Sequence, residues 1–364
     1  MNRKVSLCLT TENDRQLQRK KSIIIGLSLS HGLEITKVTQ GPTNADEIKP
    51  SDDNPDELTN KNILSNYVGI IEDEQLEKLK ETLEEKNLLI PVSDIEYYRD
   101  ENNKSRDENF IIGKGNYGTV FVGIYKKTTV AIKKFNIPDN FVNDVFYNEI
   151  ANLLLTRDES VKNVLPIIGV CFEERLIVMP FIYNNLNSYM TSINFNLPTK
   201  FAAQISLEIA KAIDSIHSLK PKLIHADLSL SNILYQFSPD HQKFSIYLCD
   251  FGLASQDNTI PFNFRQFLSS KMFYFAPEMR TNHPYDHKVD IFALGTVMYE
   301  LFSGKLLEQG HSQVPPLPKT KLNDIKKKEI RNLIFSCWEL RPEKRPSAHH
   351  ICKQLTQFIK HQHH

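Results

Sequence analysis

Only five of the 364 residues are cysteine and one is tryptophan. The cysteines, Cys8, Cys171, Cys249, Cys337 and Cys352, are odd in number, far apart and without a CxxC pair. That pattern fits neither a disulfide framework nor a zinc site, and it points to a reducing compartment. Net charge is lacking as well: 44 basic and 44 acidic residues cancel, so no global field favours nucleic acid or an anionic membrane surface. No apolar run approaches the roughly 20 residues that span a bilayer. The best early candidate, Ile23 to Leu29, is interrupted by Gly26 and Ser28, unlike a secretory signal. The chain is therefore read as soluble and cytoplasmic, with no nucleic-acid partner and no membrane span. What it has in ordinary measure is 40% hydrophobic and 24% charged residues, the composition of a folded protein.

Composition divides the chain. Residues 42–60 set Pro42, Pro50 and Pro55 among Asp46, Glu47, Asp52, Asp53, Asp56 and Glu57, an acidic linker with little to bury. Before it lies a small segment, 1–41, where Ser22 to Val38 has the apolar content of a strand or hairpin. After it comes a helical extension, 61–93. Glu72 to Asn87 reads there as a charged helix with Leu76, Leu79 and Leu83 on one stripe, stopped before Pro91. Such a narrow stripe is expected to dock on the following domain, a partner-binding helix being the alternative. Residues 94–358 form the main domain and 359–364 a solvated tail with His361, His363 and His364.

Within the main domain, residues 110–135 alternate as an antiparallel meander would. Phe141 to Leu155 switches to helical spacing after a cap candidate at Asp139-Asn140, with Val142, Val145, Phe146, Ile150 and Leu153 or Leu154 on one face. A strand is expected over Arg175 to Ile182 and an amphipathic helix over Phe201 to Leu219, stopped by Pro221. Asp290 to Ser303 is apolar nearly all round and ends at Gly304, as a helix through a domain centre does. A strand-rich lobe thus precedes a helix-rich one.

Gly113-Lys114-Gly115-Asn116-Tyr117-Gly118-Thr119-Val120 is a glycine loop whose missing side chains let backbone N–H groups approach a phosphate chain. A dinucleotide site would need a helix next, yet Val120-Phe121-Val122 continues as a strand. Val130-Ala131-Ile132-Lys133 then sets one ammonium among apolar neighbours, where it needs a carboxylate, and Glu149 on the next helix can supply it. Further on, Asp227 in His225-Ala226-Asp227-Leu228-Ser229-Leu230-Ser231-Asn232 could accept or orient a hydroxyl proton. Asn232 and Asp250, the latter in Asp250-Phe251-Gly252 after a strand from Phe244 to Cys249, offer hard oxygen ligands suited to Mg²⁺. Ala276-Pro277-Glu278 follows.

In this order and spacing the chain resembles the eukaryotic-type protein kinase family over about residues 95–358. Asp290 looks like the buried aspartate of that family's central helix, and Cys337-Trp338 with Arg345-Pro346 like its closing motif, which implies that Arg345 pairs with Glu278. Asn163 to Cys171 and Cys337-Trp338 are most similar to the tyrosine-kinase and tyrosine-kinase-like branches. The resemblance implies an α+β, bilobal fold with a β-rich N-lobe carrying one key helix and an α-helical C-lobe. It implies ATP and Mg²⁺ as cofactors and a protein substrate. The glycine loop, with Gly113, Gly115, Tyr117 and Gly118, would cover the phosphates, and Lys133 held by Glu149 would contact them. Val120 and Ala131 would cover the adenine, with Met179 as gatekeeper and Pro180 and Ile182 bonding to it at the hinge. Asn232 and Asp250 would bind Mg²⁺, and Asp227 would position the substrate hydroxyl.

The sequence departs from the family pattern at two places. Ala226 replaces the arginine that commonly reads an activation-segment phosphate, so Ser255, Thr259, Ser269 and Ser270 lack their usual receiver. Ser229 and Ser231 stand where serine/threonine kinases have a lysine and many tyrosine kinases an arginine. Counting back from Ala276-Pro277-Glu278, Lys271 takes a threonine position of serine/threonine kinases and is expected to supply the missing cation, a solvent-facing lysine being the alternative. The expected function is transfer of the ATP γ-phosphate to serine or threonine of proteins. A nucleotide-binding pseudokinase scaffold, or tyrosine or dual specificity, stays open, as does a regulatory partner for residues 1–93.

Overall fold

The computed structural model describes residues 73–98, 110–115, 117–136, 139–237, 244–256, 271–281, 283–307 and 314–362. The segment 1–41 with its expected strand, the linker 42–60 and the start of the extension, 61–72, lie outside the described residues. So do Asn116, Thr259, Ser269, Ser270, His363 and His364, and the side chains of the cap candidate Asp139-Asn140 and of Val142.

The N-lobe comprises α1 (Asp73–Glu85), β1 (Ile95–Tyr97), β2 (Ile111–Lys114), β3 (Gly118–Tyr125), β4 (Thr128–Phe135), α2 (Asp139–Asp158), β5 (Gly169–Cys171) and β6 (Leu176–Pro180). The sheet runs β1-β3-β4-β6-β5, with β2 on β3, and every pairing is antiparallel. Lys126 and Lys127 join β3 to β4 with φ of 47° and 63°, the left-handed pair that a type I′ hairpin needs. Strand alternation then decides which side chains face the cleft. Val130 and Ile132 join Ile90, Ile95, Cys171, Leu176 and Val178 in a cluster on one face of the sheet, which leaves Ala131 and Lys133 on the other. The strand expected over Arg175 to Ile182 is shorter because Arg175, with φ 52°, belongs to the preceding turn, and the ladder to β4 ends at Pro180.

The stripe of α1 lies against this lobe: Leu83 is fully buried and Leu79 half-buried on the main core. Lys86 pairs with Asp158 at the end of α2 at 3.0 Å. Beyond α1 the chain runs beside β5, Ile90 N donating to Val170 O and Val170 N to Leu88 O, both at 2.8 Å.

The C-lobe is largely helical: β7 (Asn184–Asn185), α3 (Leu186–Ser192), α4 (Thr199–His217), β8 (Leu223–Ile224), β9 (Ile233–Phe237), β10 (Phe244–Leu248), β11 (Ser255–Gln256), α5 (Pro277–Arg280), α6 (Lys288–Ser303), α7 (Lys328–Cys337) and α8 (Ala348–His361). The helix expected over Phe201 to Leu219 starts and ends two residues earlier, because Pro198 opens it and Ser218-Leu219 turn out of it. Every residue of α6 from Val289 to Leu301 is buried, and Gly304 closes it with φ 67°. Gly295 lets α7 come close, since a Cβ there would sit 2.7 Å from Cys337 Cβ. Arg345, its side chain wholly buried, grips Glu278 with two bonds of 2.6 and 2.9 Å and stacks on Phe292. This ties the segment after the active site to the base of the C-lobe. The architecture is the bilobal kinase fold, a sheet-rich N-lobe with α2 as its prominent helix above a helical C-lobe.

Candidate active site

A cleft of about 340 Å³ separates the lobes, within the usual size range of small-molecule sites. Gly113, Gly115, Tyr117, Gly118 and Val120 roof it, Ala131 and Lys133 line it from β4, and Met179, Pro180 and Ile182 close its back. Two of the glycines keep space open: a Cβ on Gly113 or Gly115 would meet nothing nearer than 3.7 Å. Gly118 serves the sheet instead, since a Cβ there would collide with Lys134 O at 2.2 Å. Leu165 and Leu234, apolar residues to which the sequence assigns no role, also line the cleft, as do Ile112, Tyr183, Asn185 and Cys249. The two leucines belong to no motif, and Leu165, between α2 and β5, meets Leu234 of β9 at the cleft only in the fold.

Deep in the cleft, Lys133 Nζ lies 2.5 Å from Glu149 Oε2 and 2.8 Å from Asp250 Oδ1. Burial alone would lower the lysine's pKa, but Asp250 and Glu149 together hold it above its ordinary value. Burial pushes the Glu149 carboxyl up to about 7 against the pull of Lys133. Asp250 goes the other way: burial would raise it, yet Lys133 and then Lys271 hold it down at about 2. The pKa of the Tyr117 phenol is raised by burial and by the carboxylates of Asp227 and Asp250.

Asp227 is buried next to Asn232 of the cleft lining. Its Oδ2 accepts from Asn232 Nδ2 at 2.8 Å and from Lys271 Nζ at 2.7 Å. Burial would lower the pKa of Lys271, but Asp227 and Asp250 raise it. Asp227 and Lys271 are not among the residues lining the cleft itself; Asn232, Glu149 and Asp250 are. The loop under Asp227 is anchored by Asp290 of α6, which accepts from His225 N at 2.8 Å and Ala226 N at 2.9 Å. His217 Nε2 contacts the same carboxylate at 2.9 Å, an anchor that the sequence does not reveal because His217 and Asp290 are 73 residues apart. Ser229, where a lysine would stand in serine/threonine kinases, is 2% exposed and its Oγ has no hydrogen-bond partner among the described residues.

The residues present fit Mg²⁺. Asn232 spends its amide N–H groups on Asp227 O and Oδ2, which leaves its Oδ1 for a cation. Asp250 gives Oδ1 to Lys133 and keeps Oδ2. Two hard oxygen donors beside a cleft with room for phosphates suit a metal that shares its coordination with phosphate oxygens.

A protein kinase domain model matches residues 107–356. Among curated proteins, the chain is 27% identical over 263 residues to the kinase/receptor R831 of Acanthamoeba polyphaga mimivirus, covering 67% of this chain and 15% of that protein. It is 29% identical over 283 residues to kinX of Dictyostelium discoideum, covering 70% of this chain and 24% of kinX. With drkC of the same organism the figures are 28% over 263 residues, 67% and 33%. All three carry serine/threonine-protein kinase in their names. The matches thus span only about a seventh to a third of each relative's length.

Proposed function

The chain belongs to the protein kinase family, and we propose that it transfers the γ-phosphate of ATP to serine or threonine hydroxyls of a protein substrate. One observation carries this reading: Lys133 is held between Glu149 and Asp250 beneath the glycine roof, with Asp227 bonded to Asn232 of the same lining. Chemistry of this kind consists mostly of positioning and charge neutralisation, which these groups supply. Lys133 would bind the phosphates, its charge secured by the two carboxylates. Val120, Ala131 and Met179 would enclose the adenine, and the Pro180 carbonyl and Ile182 N–H would bond to its edge. Asn232 and Asp250 would hold Mg²⁺, which supplies neutralisation of phosphate charge when bound. Asp227 would orient the attacking hydroxyl and take its proton.

Lys271 completes the set. The catalytic loop offers Ser229 and Ser231 in place of a cation, and the ammonium of Lys271 on Asp227 Oδ2 supports a compensating role from the activation segment. Serine/threonine specificity is favoured by the names of the relatives and by Lys271-Met272-Phe273-Tyr274, which lacks the proline platform of tyrosine kinases. We place the chain in the tyrosine-kinase-like branch, on Asn163 to Cys171 and Cys337-Trp338, and among kinases without the arginine before the catalytic aspartate. Transfer from labelled ATP to a generic protein substrate, followed by phosphoamino-acid analysis, tests the reading. Label on serine or threonine that is lost in Asp227→Asn supports it, and label on tyrosine overturns the specificity.

A further inference from the structure

Helix α2 carries two asparagines one turn apart, Asn148 and Asn152, on either side of Glu149 in the sequence. Their amides reach across to the turn that follows Asp250. Asn148 Nδ2 donates to Gly252 O at 3.1 Å and to Ala254 O at 2.9 Å. Asn152 Nδ2 donates to Ala254 O at 3.0 Å, with Phe251 O at 3.5 Å. Asn152 is 4% exposed. An asparagine there is a poor helix former and costly to bury unless its amide is bonded, so these contacts supply the compensation that the position requires.

The bonds close a ring of contacts. Glu149 of α2 holds Lys133, Lys133 holds Asp250, and the carbonyls just after Asp250 return to α2 through the two amides. Gly252 fits against the same helix, since a Cβ there would lie 3.2 Å from Glu149 Oε2. Phe251 is fully buried beneath, its ring 4.8 Å from that of His225. Farther along the segment, Lys271 is fastened to Asp227. Both ends of the activation segment are therefore held by contacts with unmodified side chains, in a chain where Ala226 replaces the arginine that would receive a phosphate.

We propose that Asn148 and Asn152 are positioning residues that lock the turn after Asp250 to α2, so that Asp250 is kept beside Lys133 in the unphosphorylated chain. The inference deepens the kinase reading and rests on it. The test uses Asn148→Asp, Asn152→Asp and the double variant, which keep side-chain size but turn a donating amide into an accepting carboxylate facing carbonyls. Three quantities are read: amide hydrogen exchange over residues 251–256 without ligand, the Mg²⁺ dependence of the ATP-induced thermal shift, and the Mg²⁺ dependence of phosphotransfer. In the double variant the exchange rises on the order of tenfold or more, and the half-saturating Mg²⁺ concentration rises about tenfold. ATP binding without metal stays as in wild type.

Ile351→Val, a mild substitution in the distant core of α8, controls for general destabilisation and leaves all three quantities unchanged. Phosphatase-treated wild type keeps its transfer activity. Wild-type exchange and Mg²⁺ dependence in the double variant, equal shifts in Ile351→Val, or loss of activity on phosphatase treatment would each overturn the proposal. A wild type that transfers no phosphate would sink the kinase reading instead, while exchange and the thermal shift would still judge the lock.

Discussion

Lys271→Met is the most informative single substitution, because it removes one charge and almost no volume. The ammonium lies 2.7 Å from Asp227 Oδ2 and its side chain is 29% exposed, so the bond is charge-assisted and only partly screened. Hydrogen bonds to charged groups are worth about 1.5–3 kcal/mol. If that interaction is carried into the transition state, its loss lowers kcat by roughly 10- to 100-fold, at about 1.4 kcal/mol per factor of ten. Because Lys271 does not line the cleft, KM for ATP stays nearly constant, and such a split marks an interaction made mainly in the transition state. Initial rates at varied ATP, at saturating Mg²⁺ and protein substrate, measure both parameters. The companion variant Lys271→Met/Ser229→Lys returns a cation to the catalytic loop, and part of the lost rate returns with it. An unaltered kcat in Lys271→Met, alongside an inactive Lys133→Met, would refute the compensation argument.

Three further outcomes follow from the packing and the charges. Arg345→Ala leaves Glu278 without its partner in a buried site, and denaturant unfolding should show a loss of about 3–5 kcal/mol. Leu83→Ala opens a cavity where α1 meets the N-lobe, for a loss of about 2–5 kcal/mol in the same assay; an unchanged midpoint would mean that α1 does not dock. Asp250, held at about 2 by Lys133 and Lys271 against burial, is more acidic folded than unfolded, so its contribution is complete above about 4 and lost as pH falls toward 2. That contribution is on the order of 2 kcal/mol, and Asp250→Asn should flatten this part of the acid limb of a stability–pH profile.

The parts of the molecule legible in the sequence are those fixed by periodicity or by short-range order. Alternation alone places Lys133 opposite Ile132 and so in the cleft, and the unbroken apolar run from Ile291 to Leu294 already marks α6 as buried. Counting back from Ala276 without a gap reaches Lys271, whose ammonium lies on Asp227. What stayed hidden depends on contacts between distant residues. Asn148 and Asn152 look in sequence like the solvated side of an amphipathic helix; their partners lie about a hundred residues later, and those partners are backbone carbonyls that leave no trace in residue type. The pairing of Leu88 to Ile90 with β5 is likewise non-local, and the leucine stripe before it could announce only that α1 needed something to pack on. Gly118 shows the limit of motif reasoning in another way. The loop pattern assigns it to the phosphates, whereas its immediate steric demand comes from Lys134 O on the neighbouring strand.

Asp227, Lys133 and Asp250 are proposed to form a working phosphotransfer site. The most direct test is transfer of labelled phosphate from ATP with Mg²⁺ to protein, comparing wild type with Asp227→Asn, whose change is isosteric and leaves the cleft lining intact. Label on serine or threonine is expected in wild type and lost in the variant, with ATP binding retained in both. Equal label in the two proteins, or none in either despite ATP binding, would contradict the proposal.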